Sequence, residues 1–175
     1  MGIVPSFDGN GYFMVAADGG VFSFGDAKYE GSCPGLGGCF GAAVAVMPDT
    51  TGHGYWLVTQ IGVVYDFGDA PNLGPSHWSA SPVVSAVRTP DGHGYWILAK
   101  DGTVTAYGDA QEFGDATAAV IGYDDPAAAI YDTSDGGGYW VATSSGGVYG
   151  FGDAPTGGGM LGTNLNAPIV GATGF

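Results

Sequence analysis

Along the chain, short apolar runs alternate with breaks rich in Gly, Asp and Pro, and the order of runs and breaks recurs. The third occurrence shows it best. Residues 83–87 are a β-rich run, residues 89–94 a Pro/Asp/Gly break, residues 95–100 a second run and residues 103–107 a third. Asp101-Gly102, between the second and third runs, is the dipeptide of a tight primed hairpin turn. Asp18-Gly19-Gly20 and Ser145-Gly146-Gly147 mark the same turn elsewhere. Gly108-Asp109 closes the third run, and residues 111–113 are candidates for a short fourth strand. No segment carries a helical period with caps, so the pattern predicts an all-β chain.

Two anchors fix the repeat. Gly-Tyr-Phe/Trp begins at Gly11, Gly54, Gly94 and Gly138, in steps of 43, 40 and 44 residues. Phe/Tyr-Gly-Asp-Ala begins at Phe24, Phe67, Tyr107 and Phe151, in the same steps of 43, 40 and 44. All length variation lies in the connectors. The repeats run over residues 2–38, 39–80, 81–121 and 122–167 of a single repeat domain, with residues 168–175 as a ring-closing strand. Successive strand residues face opposite ways. The pairs Tyr12/Phe13, Tyr55/Trp56, Tyr95/Trp96 and Tyr139/Trp140 therefore put a large ring on each face of their strand. Sheets covered on both sides, in units of this length, predict a β-propeller of about four blades rather than a linear solenoid. Residues 168–172 match residues 82–86, the first strand of a copy, while residues 2–9 supply only the tail of such a strand. A ring closed from both termini fits this, as does part of a larger propeller completed by oligomerisation.

Composition narrows the function. Glycine supplies 35 of 175 residues, and 3 Lys and Arg against 17 Asp and Glu give a net charge of −14. Lys28, Arg88 and Lys100 are too few to neutralise a phosphate backbone or grip an anionic membrane, so no nucleic-acid partner and no membrane insertion are expected. The longest apolar stretch, residues 40–47, is far too short to span a bilayer. The N-terminal residues show no basic segment followed by an apolar run, so no signal peptide is legible in this chain. Nearly all the acids are Asp, which favours turns where Glu favours helices.

The candidate chemistry is sparse. Asp26, Asp69, Asp109 and Asp153 recur in the Gly-Asp-Ala motif. They could ring a cation such as Ca²⁺, but turn carboxylates bonded to their own backbone explain the spacing without a cofactor, and that reading is favoured. Asp66 and the pair Asp124-Asp125 read as solvated acids, and His53, His77 and His93 as polar loop residues. Acids near a motif recur from copy to copy whereas active sites are single, so no enzyme is expected and no catalytic residue is singled out. Cys33 and Cys39 suit a local disulfide of an exported protein, with free thiols or half a metal site as the alternatives. Trp56, Trp96 and Trp140 read as blade packing. Trp78 lies outside the repeated core and, with Tyr29 and Phe113, is a candidate exposed contact for a ligand.

Residues 11–27 (GYFMVAADGGVFSFGDA) and residues 165–171 (LNAPIVG) resemble a tandem repeat of secreted, wall-associated proteins of high-GC Gram-positive bacteria. The resemblance covers nearly the whole chain. It departs at Phe13, where Trp is usual, and at residues 72–75 and 156–159, where an aromatic-glycine strand is expected. Residues 133–140 are similar to the Asp-box of sialidase-type propellers, Ser/Thr-x-Asp-x-Gly-x-x-Trp, a fold feature that Ser6 to Phe13 and Thr89 to Trp96 match in part. Thr51 stands at the Asp position of the second copy and breaks the pattern. Sialidase chemistry is excluded, because it needs several arginines and the chain has only Arg88. The strand-turn-strand run also resembles tectonin-type lectins. These resemblances imply an extracellular or cell-surface binding module for a wall or envelope glycan. The alternative is a structural module whose open ends build a homo-oligomer.

Overall fold

The structure is a computed structural model describing residues 2–74 and 77–172, with backbone alone at residues 121–123. Among the described residues, twelve strands form four antiparallel sheets of three. The first sheet is β1 (Gly2–Pro5), β2 (Tyr12–Val15) and β3 (Val21–Phe24), and the second is β4 (Ala43–Pro48), β5 (Gly54–Thr59) and β6 (Val64–Gly68). The third is β7 (Val83–Arg88), β8 (Gly94–Ala99) and β9 (Val104–Gly108), and the fourth is β10 (Ala127–Asp132), β11 (Gly138–Thr143) and β12 (Val148–Gly152). In every sheet the strand that begins at Gly-Tyr is central. Its register is constant: Tyr12 faces Phe24, Tyr55 faces Phe67, Tyr95 faces Tyr107 and Tyr139 faces Phe151.

The chain divides into two compact units, residues 1–83 and 84–175. In the first, Phe13 and Val15 of β2 pack against Tyr55 and Leu57 of β5. In the second, Trp96 and Leu98 of β8 pack against Tyr139 and Val141 of β11. Each unit thus has the same core, an aromatic of one sheet meeting the tyrosine of the next. Each connector returns to the hairpin of its own repeat: Cys33 N–H donates to Gly19 O, Ser79 to Ile61 O, Ala116 to Gly102 O and Met160 to Gly146 O.

Four expectations are corrected. The hairpins are three-residue loops, not primed two-residue turns. Ala99 N–H donates to Thr103 O, Gly102 N–H to Ala99 O, and the left-handed φ of 90° falls on Gly102 rather than Asp101. No fourth strand forms among the described residues; residues 111–113 carry none. A helix, α1 (Thr117–Tyr123), follows the third sheet, ending on Asp124 in the left-handed region at φ 49°. Residues 168–172 are not a strand, although Ile169 N–H donates to Ser144 O, and residues 173–175 lie outside the described residues. Cys33 and Cys39 are joined in a disulfide. No helix among the described residues is long and apolar enough to cross a membrane.

Candidate functional site

The four motif carboxylates, Asp26, Asp69, Asp109 and Asp153, are all exposed. They lie beside the turns that lead into the central strands. In the first repeat Ser6 Oγ donates to Asp8, at 2.8 Å, and approaches Asp26 at 3.4 Å. In the third, Thr89 Oγ1 donates to Asp91 at 2.6 Å and accepts from Gly94 N–H at 2.9 Å. In the fourth, Thr133 Oγ1 does the same with Asp135 and Gly138. The hydroxyl satisfies a strand-end amide that would otherwise be stranded, and the Asp orients the hydroxyl. These bonds, led by those from Ser6 and Thr89, hold the Asp8 and Asp91 carboxyls down at about 2.

The second repeat keeps the same chemistry with the residues exchanged. Asp49 occupies the hydroxyl position and Thr51 the acid position. Thr51 Oγ1 reaches Asp49 at 2.8 Å and Asp69 at 2.9 Å, and Gly52 N–H donates to Asp49. Read as a break in the sequence motif, Thr51 is a permutation of it in space. Burial pushes the Asp49 carboxyl up, while bonds within the pair hold the exposed Asp69 down. In the third repeat Asp91, His93 and Asp109 place one ligand atom each within 4.8 Å of one another, all of them exposed.

Asp125 is not solvated. It is 5% exposed and accepts from Thr143 Oγ1 at 2.5 Å, Ser144 Oγ at 3.1 Å, Ser145 N–H at 2.8 Å and Ser145 Oγ. Burial raises its pKa, but the bonds from Ser145, Thr143 and Ser144 outweigh burial and hold it below the usual value. Asp124 and Asp66 are exposed as expected, Asp66 taking a bond from Asn72.

The aromatic candidates part company. Trp78 is 74% exposed and Tyr29 55%, the Tyr29 hydroxyl lying 2.9 Å from Ser32 Oγ. Phe113 is half-buried against Trp96 and Tyr139, a packing residue rather than an exposed contact. Trp56 and Trp96 are fully buried, their indoles donating to Pro71 O and Gln111 O at 2.8 Å. Trp140 makes the same bond to Pro155 O but stays half-exposed, and Tyr131 stacks on it at 5.2 Å. A cleft of about 280 Å³ in the first unit is lined by Phe7, Asp8, Asp26, Lys28, Thr51 and His53, among others.

No family model matches the chain, and no curated protein matches it. Among solved structures the chain is similar to the β-propeller domain of Cps50 (Swd1) from Myceliophteria thermophila, at 12% identity and a TM-score of 0.58. The match covers 86% of this chain and 51% of that one, so the chain spans about half the length of that propeller. The chain has a β-propeller fold, with its four three-stranded sheets as blades.

Proposed function

We propose that the chain is a non-catalytic binding module working outside the cytoplasm, and that its ligand is a glycan of a cell wall or envelope. The presentation of Trp78 carries this reading. Its indole is 74% exposed, yet the next residue is pinned: Ser79 N–H donates to Ile61 O at 2.8 Å and Ser79 Oγ to Ser81 O at 2.6 Å. A ring held outward on a fixed segment offers an apolar face to a sugar with little left to order on binding. Tyr29, tethered at Ser32, adds a second such ring.

The acids support a passive role. Asp8, Asp91 and Asp135 accept the same hydroxyl bond in three repeats, and Thr51 makes the exchanged bond to Asp49 in the second. The disulfide fits an oxidising compartment. Cosedimentation with purified wall polysaccharide tests the reading. The wild type is expected to be retained saturably, and Trp78→Ala to lose most of that retention with an unchanged melting temperature. Equal retention of the two proteins would overturn it.

A further inference from the structure

We propose that this chain assembles head to tail with a second copy of itself. The exposed face of the first sheet of one copy seats on the Trp140 side of the fourth sheet of the next. The proposal is independent of glycan binding.

One sheet-on-sheet joint occurs in each unit. Phe13 meets Tyr55 with ring centroids 5.2 Å apart at 56°, and Trp96 meets Tyr139 at 5.4 Å and 54°. The tyrosine hydroxyl donates back to a connector carbonyl, Tyr55 to Gly31 O and Tyr139 to Gly114 O. The phenylalanine opposite that tyrosine lies under the same glycine. A Cβ on Gly31 would come 2.6 Å from the Phe67 ring, and one on Gly114 3.0 Å from the Phe151 ring. The joint therefore has four parts: a ring at the Trp position, a tyrosine wedge, a phenylalanine knob and a glycine seat.

Both halves of this joint occur again, on rings that are exposed or half-exposed. The wedge and knob of the first sheet are Tyr12 and Phe24, stacked at 4.8 Å and 38% and 44% exposed. The strand register puts Ile3, Met14 and Phe22 on the same face, and all three are exposed. A contiguous apolar face of this kind marks an interaction site. The complementary half is Trp140 with Gly158, seven residues beyond Phe151 as Gly114 is beyond Tyr107. Gly158 has a left-handed φ of 90°, and a Cβ there would meet nothing within 4 Å. Trp140, Tyr131 and Gly158 line an open groove of about 620 Å³. Ile169 N–H donates to Ser144 O as Ala127 N–H does to Lys100 O, so the chain leaves the fourth sheet in the register that leads into a following sheet.

The partner that fits both halves is another sheet of this repeat, and a second copy supplies it. Tyr12 then meets the partner copy's indole ring, its hydroxyl reaches the glycine carbonyl, and Phe24 fills the open space beside that glycine. Such a joint is heterologous and builds chains or closed rings. Copies of net charge −14 repel one another, so association strengthens as salt screens them.

Native mass by sedimentation or light scattering, over a concentration series in moderate salt, tests the proposal. The wild type is expected to rise above the monomer mass. Phe22→Lys/Phe24→Lys, on exposed positions, blocks one half of the joint. Trp140→Lys blocks the other, and Gly157→Trp does so by adding bulk where a Cβ meets nothing within 4 Å. Each variant alone is expected to be monomeric. An equimolar mixture of the first with either of the others is expected to give a dimer that grows no further. A monomeric wild type would overturn the proposal. So would a mixture that stays monomeric, or association that survives both Trp140→Lys and Gly157→Trp.

Discussion

Asp125 gives the account its most quantitative test. Its carboxylate gathers donors from three successive residues, Thr143 to Ser145. Asp125→Ala removes them all at once, but the losses are unequal. Thr143 Oγ1 keeps Gly147 O at 3.3 Å, and the half-buried Ser144 and Ser145 hydroxyls can turn to water. The Ser145 amide and the weakened Thr143 bond remain. At roughly 1–3 kcal/mol for each stranded group the cost is about 3 kcal/mol. Asp125→Asn keeps one acceptor oxygen, and the hydroxyls can accept from its amide, so its cost is about 1 kcal/mol. With a urea slope of about 2 kcal/mol per molar, the midpoint of the second unit falls by about 1.5 M for Ala and about 0.5 M for Asn. Urea titrations followed by circular dichroism read both values.

The pH dependence has a definite sign. The folded-state pKa of Asp125 lies below its ordinary value of 3.8, so the contribution is present above that value and is lost as pH falls through the folded pKa. The gap between the wild type and Asp125→Asn therefore narrows in acid. An Ala variant within about 0.5 kcal/mol of the wild type, too small to reflect even one stranded buried group, would refute the reasoning. A gap that is constant down to acid pH would refute its electrostatic part.

Removing the disulfide with Cys33→Ser/Cys39→Ser frees a short loop whose closure contributes about 2 kcal/mol, and the midpoint of thermal or urea unfolding should fall accordingly. EDTA should leave the melting temperature unchanged, because Asp8, Asp91 and Asp135 already accept bonds from their own turns; a fall of several degrees would assign a cation to the turn carboxylates. In the second repeat, Asp49→Thr/Thr51→Asp should melt near the wild type, since it restores the order seen in the other three turns. Thr51→Ala alone removes the hydroxyl that bridges Asp49 and Asp69 and should be less stable than the exchanged pair. Differential scanning calorimetry ranks the three proteins.

What the sequence made legible was what it states four times. The three strands of each sheet and their order follow from spacing alone, because a repeat with fixed offsets imposes one register on every copy. What occurs once, or depends on neighbours, was not legible. Asp-Gly at 101–102 suits two hairpin types, and only the backbone of Asp101 distinguishes them. α1 has no side-chain cap at Ala116, so its ends carry no signal. Asp125 has no repeat equivalent, and its burial depends on hydroxyls eighteen to twenty residues away. The exchange of Asp49 and Thr51 looks like a lost motif until both side chains are seen to share Asp69 as a neighbour. Trp140 occupies the same repeat position as Trp56 and Trp96, and differs from them only in what covers it.

The central claim is that Trp78, held outside the sheets, is the contact for a glycan. Tryptophan fluorescence during titration with soluble wall-glycan fragments, in a Trp140→Phe background that silences the half-exposed fourth indole, tests it most directly, because Trp56 and Trp96 are fully buried and insulated from such a ligand. The account predicts a saturable change in emission in that background and none when Trp78→Ala is added. A titration that leaves emission flat in that background, or a change that persists with Trp78→Ala, would contradict it.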